Sequence, residues 1–178
     1  MRSRVVYENP WIRVREDAVV RPDGSPGIYG VVGFRSVALG AVVRHDDDST
    51  VLVGQYRYTL EAWSWEIPEG GGDPALAPED EIARELEEET GLVAARYTSL
   101  GALHTSNSVT DEGSLLYLAE QLTQHPPRPE PTERLVLWRL PLAEAVAMAC
   151  DGRITEALSV AGLLRADVAL RTRAQAPA

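Results

Sequence analysis

The sequence predicts one domain of mixed α/β or α+β class, preceded by a small element of antiparallel strands. Its 178 residues suit one domain, since domains usually contain about 100 to 200 residues. The hydrophobic share of 44% and the charged share of 25% are those of a globular protein with a buried core. Strand and helix patterns interleave without regular alternation, which favours a mixed sheet over a doubly wound parallel one. We expect an N-terminal strand element at 1–35, the main domain at 36–170 and a flexible tail at 171–178.

The first part of the chain is predicted to consist of strands. Residues 4–35 alternate apolar and polar positions around a turn at 21–27, which predicts two or three antiparallel strands. Residues 36–44 and 50–58 flank the polar segment HDDDS, and we expect them to form a hairpin.

The strongest helix signal follows a predicted strand at 63–68 and a Gly- and Pro-rich loop at 69–78. Pro78 suits the first helical position, three acids follow it at the positive end of the helix dipole, and Gly91 is a stop signal. These signals predict a helix over 78–90. The rest of the chain is predicted to contain strands at 97–106, 113–122 and 134–140, a Pro-rich connection at 124–133, and helices at 141–152 and 154–170.

The charge balance argues against some classes of protein. All 17 basic residues are arginine, and 27 acidic residues give a net charge of −10. A general nucleic-acid binder would carry the opposite excess, because it must neutralise phosphates. An acidic protein that handles phosphates needs added positive charge, and metal ions held by carboxylates can supply it.

No membrane association is expected. The longest early run without charged groups, 37–43, is far shorter than the roughly 20 residues of a membrane span, and the N-terminus lacks a signal-peptide pattern. We therefore expect a cytoplasmic location. Cys150 is the single cysteine, which excludes an intrachain disulfide, and its apolar surroundings predict a buried structural thiol. A histidine metal site is not expected, because His45, His104 and His125 lie far apart in unlike contexts.

The predicted helix carries many acids on one face. Between Glu79 and Glu89, seven of the eleven residues are acidic. At about 100° per residue, four of them share about 100° of the helix surface, beside an apolar stripe formed by Ile82 and Leu86. These four are Glu81, Glu85, Glu88 and Glu89. We therefore expect the acidic face at the edge of the core.

Four like charges on one helix face repel each other, and Arg84 alone cannot neutralise them. One interpretation is a solvated acidic face. The other is a cation site, because Mg²⁺ takes oxygen ligands and keeps substrate phosphate oxygens in its shell.

Residues 70–92 resemble the Nudix box, whose pattern is G-x5-E-x7-R-E-U-x-E-E-x-G-U with U a bulky aliphatic residue. Eight of the nine fixed positions match, and the mismatch is Leu76, where the pattern has Glu. The matching residues are Gly70, Arg84, Glu85, Leu86, Glu88, Glu89, Gly91 and Leu92. Weaker similarity over 36–165 points to the ADP-ribose pyrophosphatase branch of the family, including the G-x-I-x-[DE]-A pattern at 152–157.

The resemblance implies a metal centre with two or three Mg²⁺ or Mn²⁺ ions. It implies that Glu85 and Glu89 are the principal ligands. It also implies that Glu88 assists them as a ligand and in catalysis, and that Arg84 takes part in catalysis by orienting the acids. We hypothesise that Glu81, one turn before Glu85, replaces the missing box carboxylate.

The polar loop at 106–112 is a candidate for the general base, which in similar enzymes often comes from outside the box. Glu112 is favoured as base or additional ligand, and Asp111 is the reserve and a candidate contact to the substrate. The alternative is that this segment is only a polar hairpin turn.

Several residues outside the helix are expected to contact the substrate. Arg57 could bind its phosphates or could be an exposed strand residue in an ordinary ion pair. Glu66 and the turn containing Gly70 are expected to line the site, with a backbone carbonyl near Gly70 as a metal ligand. The aromatic candidates for stacking on a base, with core packing as the alternative, are Trp11, Tyr29, Trp63 and Trp65.

The resemblance implies an α/β/α sandwich and, in this branch, N-terminal strands that pack across a homodimer. It implies metal-dependent hydrolysis of a nucleoside diphosphate linked to another group, with ADP-ribose cleaved to AMP and ribose 5-phosphate as the leading expectation. The partner is then a small molecule, not nucleic acid or a membrane. The alternatives are a nucleotide sugar, a dinucleoside polyphosphate or a nucleoside triphosphate as substrate. Leu76 also leaves open a regulatory domain that binds a nucleotide without turnover.

Overall fold

The computed structural model describes residues 2–128 and 134–175. Its strands are β1 Ser3–Glu8, β2 Ile12–Val20, β3 Pro26–Phe34, β4 Val37–Val43, β5 Ser49–Arg57, β6 Ala62–Glu66, β7 Glu69–Gly72, β8 Leu92–His104, β9 Gly113–Gln124 and β10 Val136–Pro141. Its α-helices are α1 Pro78–Thr90, α2 Leu142–Asp151 and α3 Ala157–Gln175, and a 3₁₀ turn spans Tyr58–Leu60. Part of the predicted Pro-rich connection, 129–133, and the end of the predicted tail, 176–178, lie outside the described residues.

The strands form three sheets. β1, β2 and β3 form an antiparallel sheet, as the alternating pattern at the N-terminus predicts. The second sheet has the order β7-β4-β9-β8 and is mixed, because β4 runs parallel to β9 and antiparallel to β7. The third sheet has the order β10-β5-β6 and is antiparallel. The predicted mixed-sheet fold class is confirmed.

The hairpin predicted from 36–44 and 50–58 is wrong. β4 and β5 lie in different sheets, and the polar segment between them connects the two. Both strands carry a continuous apolar run, and both are largely buried. Such a run indicates protein on both faces of a strand but does not identify its hydrogen-bonded neighbours.

The mixed sheet lies between two apolar layers. Successive residues of a strand point to opposite faces, and in β4 Leu39 and Ala41 pack with Ile82 and Leu86 of α1. Val42 packs instead into the layer that contains α2 and α3. This is the α/β/α arrangement that the resemblance implies, and it puts the apolar stripe of α1 in the core as predicted. Among the described residues, no helix is long and apolar enough to span a membrane.

α1 begins and ends where the sequence predicts. Pro78 is its first residue, and Gly91 follows it at φ 72°, in the left-handed region that favours glycine. The loop predicted before this helix contains a strand, since β7 pairs antiparallel with β4. The sequence of β7, EGGG, has little strand propensity, so its pairing partner determines its conformation.

Two features near the C-terminus differ from expectation. α3 continues through Gln175, beyond the start of the predicted tail, and Arg173 in its last turns is held by a 2.8 Å ion pair with Glu120. Cys150 is exposed, not buried. The buried residues of α2 form a stripe at helical spacing, and Cys150 lies outside that stripe.

Candidate active site

A cleft of about 670 Å³ lies between α1, the connection from β6 to β7, the N-terminal sheet and the loop at 105–112. Six residues proposed from the sequence as site residues line it: Trp11, Arg57, Glu66, Gly70, Glu89 and Glu112. Further polar residues in its wall are Ser36, Gln55, Thr59, Glu69, Thr105 and Glu156. These side chains come from distant parts of the chain, so the fold assembles the cleft.

Arg84 contacts three acids of α1. Its Nη1 donates to Oε2 of Glu88 and its Nη2 donates to Oε1 of Glu85, each over 2.7 Å. Nη2 also donates to Oε2 of Glu81 over 3.4 Å. The helical spacing predicts the contacts to Glu81 and Glu88 but not the one to Glu85. One guanidinium thus holds three carboxylates in fixed positions.

Glu81 and Glu89 are buried and bind the backbone that precedes α1. Glu89 is 5% exposed, and its Oε2 accepts the Glu69 N–H over 3.1 Å. Glu81 is 9% exposed, and its Oε2 accepts the Asp73 N–H over 3.1 Å. β7 and the following loop are therefore fixed to the acidic face. Leu76, at the mismatched box position, is exposed.

Gly70 leaves the space that Glu85 occupies. A Cβ atom on Gly70 would lie 2.5 Å from Oε2 and 2.6 Å from Cγ of Glu85, closer than non-bonded atoms approach. The backbone is fixed at this point because Gly70 pairs with Leu39 of β4. A side chain at position 70 would therefore displace Glu85.

The acids of α1 and of the cleft wall have the chemistry that a hard divalent cation requires, although of the α1 acids only Glu89 lines the cleft. Glu85 and Glu89 lie one turn apart on α1, and carboxylate oxygens are the ligands that Mg²⁺ and Mn²⁺ prefer. No described residue donates a hydrogen bond to the buried Oε2 of Glu69, so an acceptor is also available at the cleft wall. Within residues 2–128 and 134–175, no three His, Cys, Asp or Glu side chains converge on a point that could hold a metal. The fit therefore lies in the donor types and the space at Gly70, not in a preformed cage.

Arg57 lines the cleft and is held by two acids. Its Nε donates to both oxygens of Glu66, over 2.9 and 3.1 Å, and its Nη2 donates to Oε1 of Glu69 over 2.8 Å. The hydrogen bonds to Glu66 raise the pKa of Arg57. Arg57 thus has features of both interpretations that the sequence leaves open, since it belongs to the cleft and forms an ion pair.

Glu69 lies among other acids. Burial raises its pKa well above the usual value, and the charges of Glu156 and Glu66 act in the same direction against that of Arg57. Glu156 caps α3, where its carboxylate accepts two backbone N–H groups over 2.8 and 2.6 Å. In the sequence Glu156 stands out only as part of a family pattern, and the signal for its capping role is an acid at the start of a helix.

Adjacent acids of the loop lie in different places. Glu112 lines the cleft, and the Thr105 hydroxyl donates to its Oε2 over 2.6 Å. Asp111 is not among the residues that line the cleft. Its Oδ1 accepts the Phe34 N–H over 3.3 Å, and its Oδ2 lies 3.7 Å from Nη1 of Arg15. The structure thus places Glu112 at the site and Asp111 against the N-terminal sheet.

The four aromatic candidates for stacking on a base lie in different environments. Trp11 lines the cleft and is 73% exposed. Tyr29 donates its hydroxyl to a backbone carbonyl of the 105–112 loop. Trp65 packs against Trp138 with ring centroids 5.1 Å apart and against Trp63 at 6.0 Å. Of these four, only Trp11 is placed to stack on a ligand in the cleft.

Comparison with known proteins gives matches to two domain families. The NUDIX domain matches residues 34–160, and the nucleoside diphosphate sugar hydrolase N-terminal domain matches residues 2–32. ADP-ribose pyrophosphatase of Mycobacterium tuberculosis is 31% identical over 166 residues, which are 91% of this chain and 79% of that protein. ADP-ribose pyrophosphatase of Bacillus subtilis is 40% identical over 88 residues, which are 49% of this chain and 46% of that protein.

A solved structure described as an ADP compounds hydrolase has the same fold. Its TM-score is 0.87, at 22% sequence identity, and the match covers 99% of this chain and 95% of that one. At this identity the likeness shows the fold alone. The family match covers the sheet, the acidic helix and the cleft residues from Ser36 to Leu158. This chain therefore belongs to the NUDIX domain family.

Proposed function

We propose that this protein hydrolyses ADP-ribose to AMP and ribose 5-phosphate with Mg²⁺ or Mn²⁺. Use of divalent metal ions is general among NUDIX hydrolases. The observation that carries the proposal is the acidic face of α1, whose Glu89 lines a cleft together with Arg57 and Glu112. The similarity to the M. tuberculosis ADP-ribose pyrophosphatase extends over 91% of the chain and supports the choice of substrate.

The acids of α1 hold the metal in this proposal. When bound, two or three ions stabilise the negative charge on the phosphate oxygens and make the attacking water acidic. Glu85 and Glu89 are the principal ligands, with Glu88 and a backbone carbonyl near Gly70 as further ones. Arg84 keeps three of the acids oriented through the contacts described above.

Other cleft residues bind the substrate and move the proton. The Thr105 hydroxyl fixes Oε2 of Glu112, and Oε1 then accepts a proton from the attacking water as a general base. Arg57, held in plane by Glu66, places positive charge beside the substrate phosphates. Trp11 stacks on the adenine, an interaction worth about 1 to 3 kcal/mol.

A substrate screen with matched variants tests this function. The full chain is assayed with each metal against ADP-ribose, a nucleotide sugar, a dinucleoside polyphosphate and a nucleoside triphosphate. We expect the highest kcat/KM for ADP-ribose and a fall in kcat of about 1,000-fold for Glu89→Gln. Glu79→Gln is the control, because Glu79 is an exposed acid of α1 outside the acidic face.

Each other outcome of the screen has a definite meaning. Faster turnover of another class would replace ADP-ribose as the substrate. No turnover of any compound would favour a nucleotide-binding regulatory domain. Unchanged turnover by Glu89→Gln would remove the metal role of that residue.

We also propose that the N-terminal sheet forms a homodimer interface. Val20 and Ile28 are 72% and 69% exposed, and they share a face because Ile28 pairs with Ala18, two residues before Val20. Neighbouring exposed aliphatic side chains suit a subunit interface. Analytical ultracentrifugation should show a dimer that Ile28→Glu weakens, and a monomeric wild-type protein would contradict this. The cytoplasmic location stays a prediction.

A further inference from the structure

The N-terminal sheet is joined by backbone hydrogen bonds to the loop that carries Glu112. Val32 of β3 donates its N–H to the Val109 carbonyl over 2.8 Å and accepts the Asp111 N–H over 3.3 Å. These bonds form a short parallel bridge between β3 and the loop. Tyr29 of β3 adds a hydrogen bond from its hydroxyl to the same loop. Because β3 is an edge strand of its sheet, the loop covers part of its free edge.

The Asp111 side chain adds a contact to each of two strands. Its Oδ1 accepts the N–H of Phe34 at the end of β3, and its Oδ2 faces Arg15 of β2. The Asp111 and Arg15 side chains are 52% and 41% exposed, so the ion pair alone contributes little to stability. The hydrogen bond to a backbone N–H, in contrast, fixes the direction of the carboxylate.

We propose that Asp111 is a positioning residue that ties the loop to the N-terminal sheet and thereby keeps Glu112 aimed into the cleft. The inference rests on the proposed role of Glu112 as general base. The two residues are adjacent, and the Asp111 side chain contacts the sheet while Glu112 lines the cleft. Fixing Asp111 on the sheet therefore restricts where the Glu112 side chain can point. Thr105 holds only the tip of the Glu112 side chain.

The position of a catalytic base strongly affects turnover. A misplacement of about 1 Å can lower a rate about 100-fold. Loss of the Asp111 anchor leaves substrate-binding residues such as Arg57 in place and moves only the base. The expected signature is therefore a lower kcat with little change in KM.

Three variants test the anchor with ADP-ribose as substrate. Asp111→Ala removes the side-chain contacts to Phe34 and Arg15. It should lower kcat at least about tenfold, with KM within about threefold of wild type. Asp111→Asn keeps an oxygen acceptor for the Phe34 N–H and should retain most of the activity. Glu16→Gln is the control, since Glu16 lies in β2 but pairs with the remote Arg4 over 3.0 Å. A kcat within twofold of wild type for Asp111→Ala would overturn the inference.

A double-mutant cycle asks whether Asp111 acts through Glu112. Residues that act as a unit give non-additive losses. Asp111→Ala should therefore cause no further fall in kcat when it is added to Glu112→Gln. A full additional loss in the double variant would show that Asp111 acts independently of Glu112 and would overturn the proposal.

Amide hydrogen exchange provides a readout that does not need the substrate. Exchange in the 105–112 loop should become at least about tenfold faster in Asp111→Ala than in wild type or Glu16→Gln, because the loop opens locally. Unchanged exchange would overturn the inference. A wild-type protein that does not hydrolyse ADP-ribose would contradict the proposed function alone, and exchange would still decide whether Asp111 holds the loop.

Discussion

Two charged clusters of this protein have opposite compositions. In the α1 cluster one arginine contacts three glutamates, and in the β9 cluster one glutamate contacts three arginines. The α1 cluster consists of Arg84 with Glu81, Glu85 and Glu88, and the β9 cluster consists of Glu120 with Arg44, Arg96 and Arg173. The Arg84 side chain of the α1 cluster is 41% exposed, and Glu89 on the same helix lines the cleft, whereas the central Glu120 side chain is 4% exposed.

This difference suits the α1 cluster to binding a cation and the β9 cluster to stabilising the fold. The acids around Arg84 exceed its charge, and Glu89 on the same face adds another acid, so a cation is still favoured there. In the β9 cluster the excess charge is positive and the acid is enclosed. Its arginines come from β8, from α3 and from the residue after β4, so Glu120 connects these elements. We therefore expect changes in the α1 cluster to affect turnover and changes in the β9 cluster to affect stability.

Among the predictions that follow, the largest effect on turnover is expected for Gly70→Ala, which adds a single methyl group. The new Cβ would overlap the Glu85 carboxylate and displace a proposed metal ligand, so kcat should fall about 100-fold. Gly30→Ala is the matched control, because a Cβ at that position meets no atom within 4 Å. Steady-state kinetics with ADP-ribose and Mg²⁺ measures both. A Gly70→Ala variant with wild-type kcat would show that Glu85 does not need this position.

A substitution in the β9 cluster should lower the stability of the protein. Glu120→Gln leaves three arginines without their shared acid and should lower the free energy of unfolding by about 2 kcal/mol. The control is Asp167→Asn, which breaks an exposed helical ion pair with Arg171. It should change the free energy of unfolding by no more than about 0.5 kcal/mol. Urea unfolding measures the difference. Equal effects of the two variants would contradict the structural role of Glu120.

The contribution of Glu120 to the stability of the protein should also depend on pH. Burial raises the pKa of Glu120, but hydrogen bonds from Arg173 and Arg44 outweigh it and hold the pKa below its usual value. A lowered carboxyl pKa in the folded state stabilises the protein above the unfolded pKa, and this contribution is lost as the pH falls. The stability difference between wild type and Glu120→Gln should therefore be complete near neutral pH and shrink below about pH 4. A difference independent of pH would contradict the pKa assignment.

A smaller effect is expected at Glu81. This residue is the proposed replacement for the box carboxylate missing at Leu76, and it binds both Arg84 and the Asp73 N–H. Glu81→Ala should lower metal affinity about tenfold, as changes beside metal ligands commonly do. The dependence of turnover on Mg²⁺ concentration measures it. Unchanged metal dependence would show that Glu81 does not compensate for Leu76.

The sequence predicts the α1 cluster because its signals are local. Helical spacing puts the acids on one face, and Pro78 and Gly91 mark the ends of the helix. The β9 cluster has no such signal, since Glu120 lies 76 residues from Arg44 and 53 from Arg173 along the chain. The pairing of β9 with β8 and β4, together with the packing of α3, brings these charges together.

Two other features could not be predicted for related reasons. β4 and β5 are both buried, and a continuous apolar run does not indicate which sheet a strand joins. Asp111 and Glu112 are adjacent acids in one polar loop, and the sequence does not distinguish their directions. The contact of Asp111 with Phe34 distinguishes them, and it depends on the N-terminal sheet.

The central claim is that the acidic face of α1 binds divalent cations, and titration calorimetry with Mg²⁺ in the absence of substrate tests it most directly. Wild type and Glu120→Gln should bind Mg²⁺ with equal affinity. Glu89→Gln should bind it at least about tenfold more weakly, because a carboxylate ligand is replaced by an amide. Equal Mg²⁺ affinity of Glu89→Gln and wild type, or no binding by wild type, would contradict the claim.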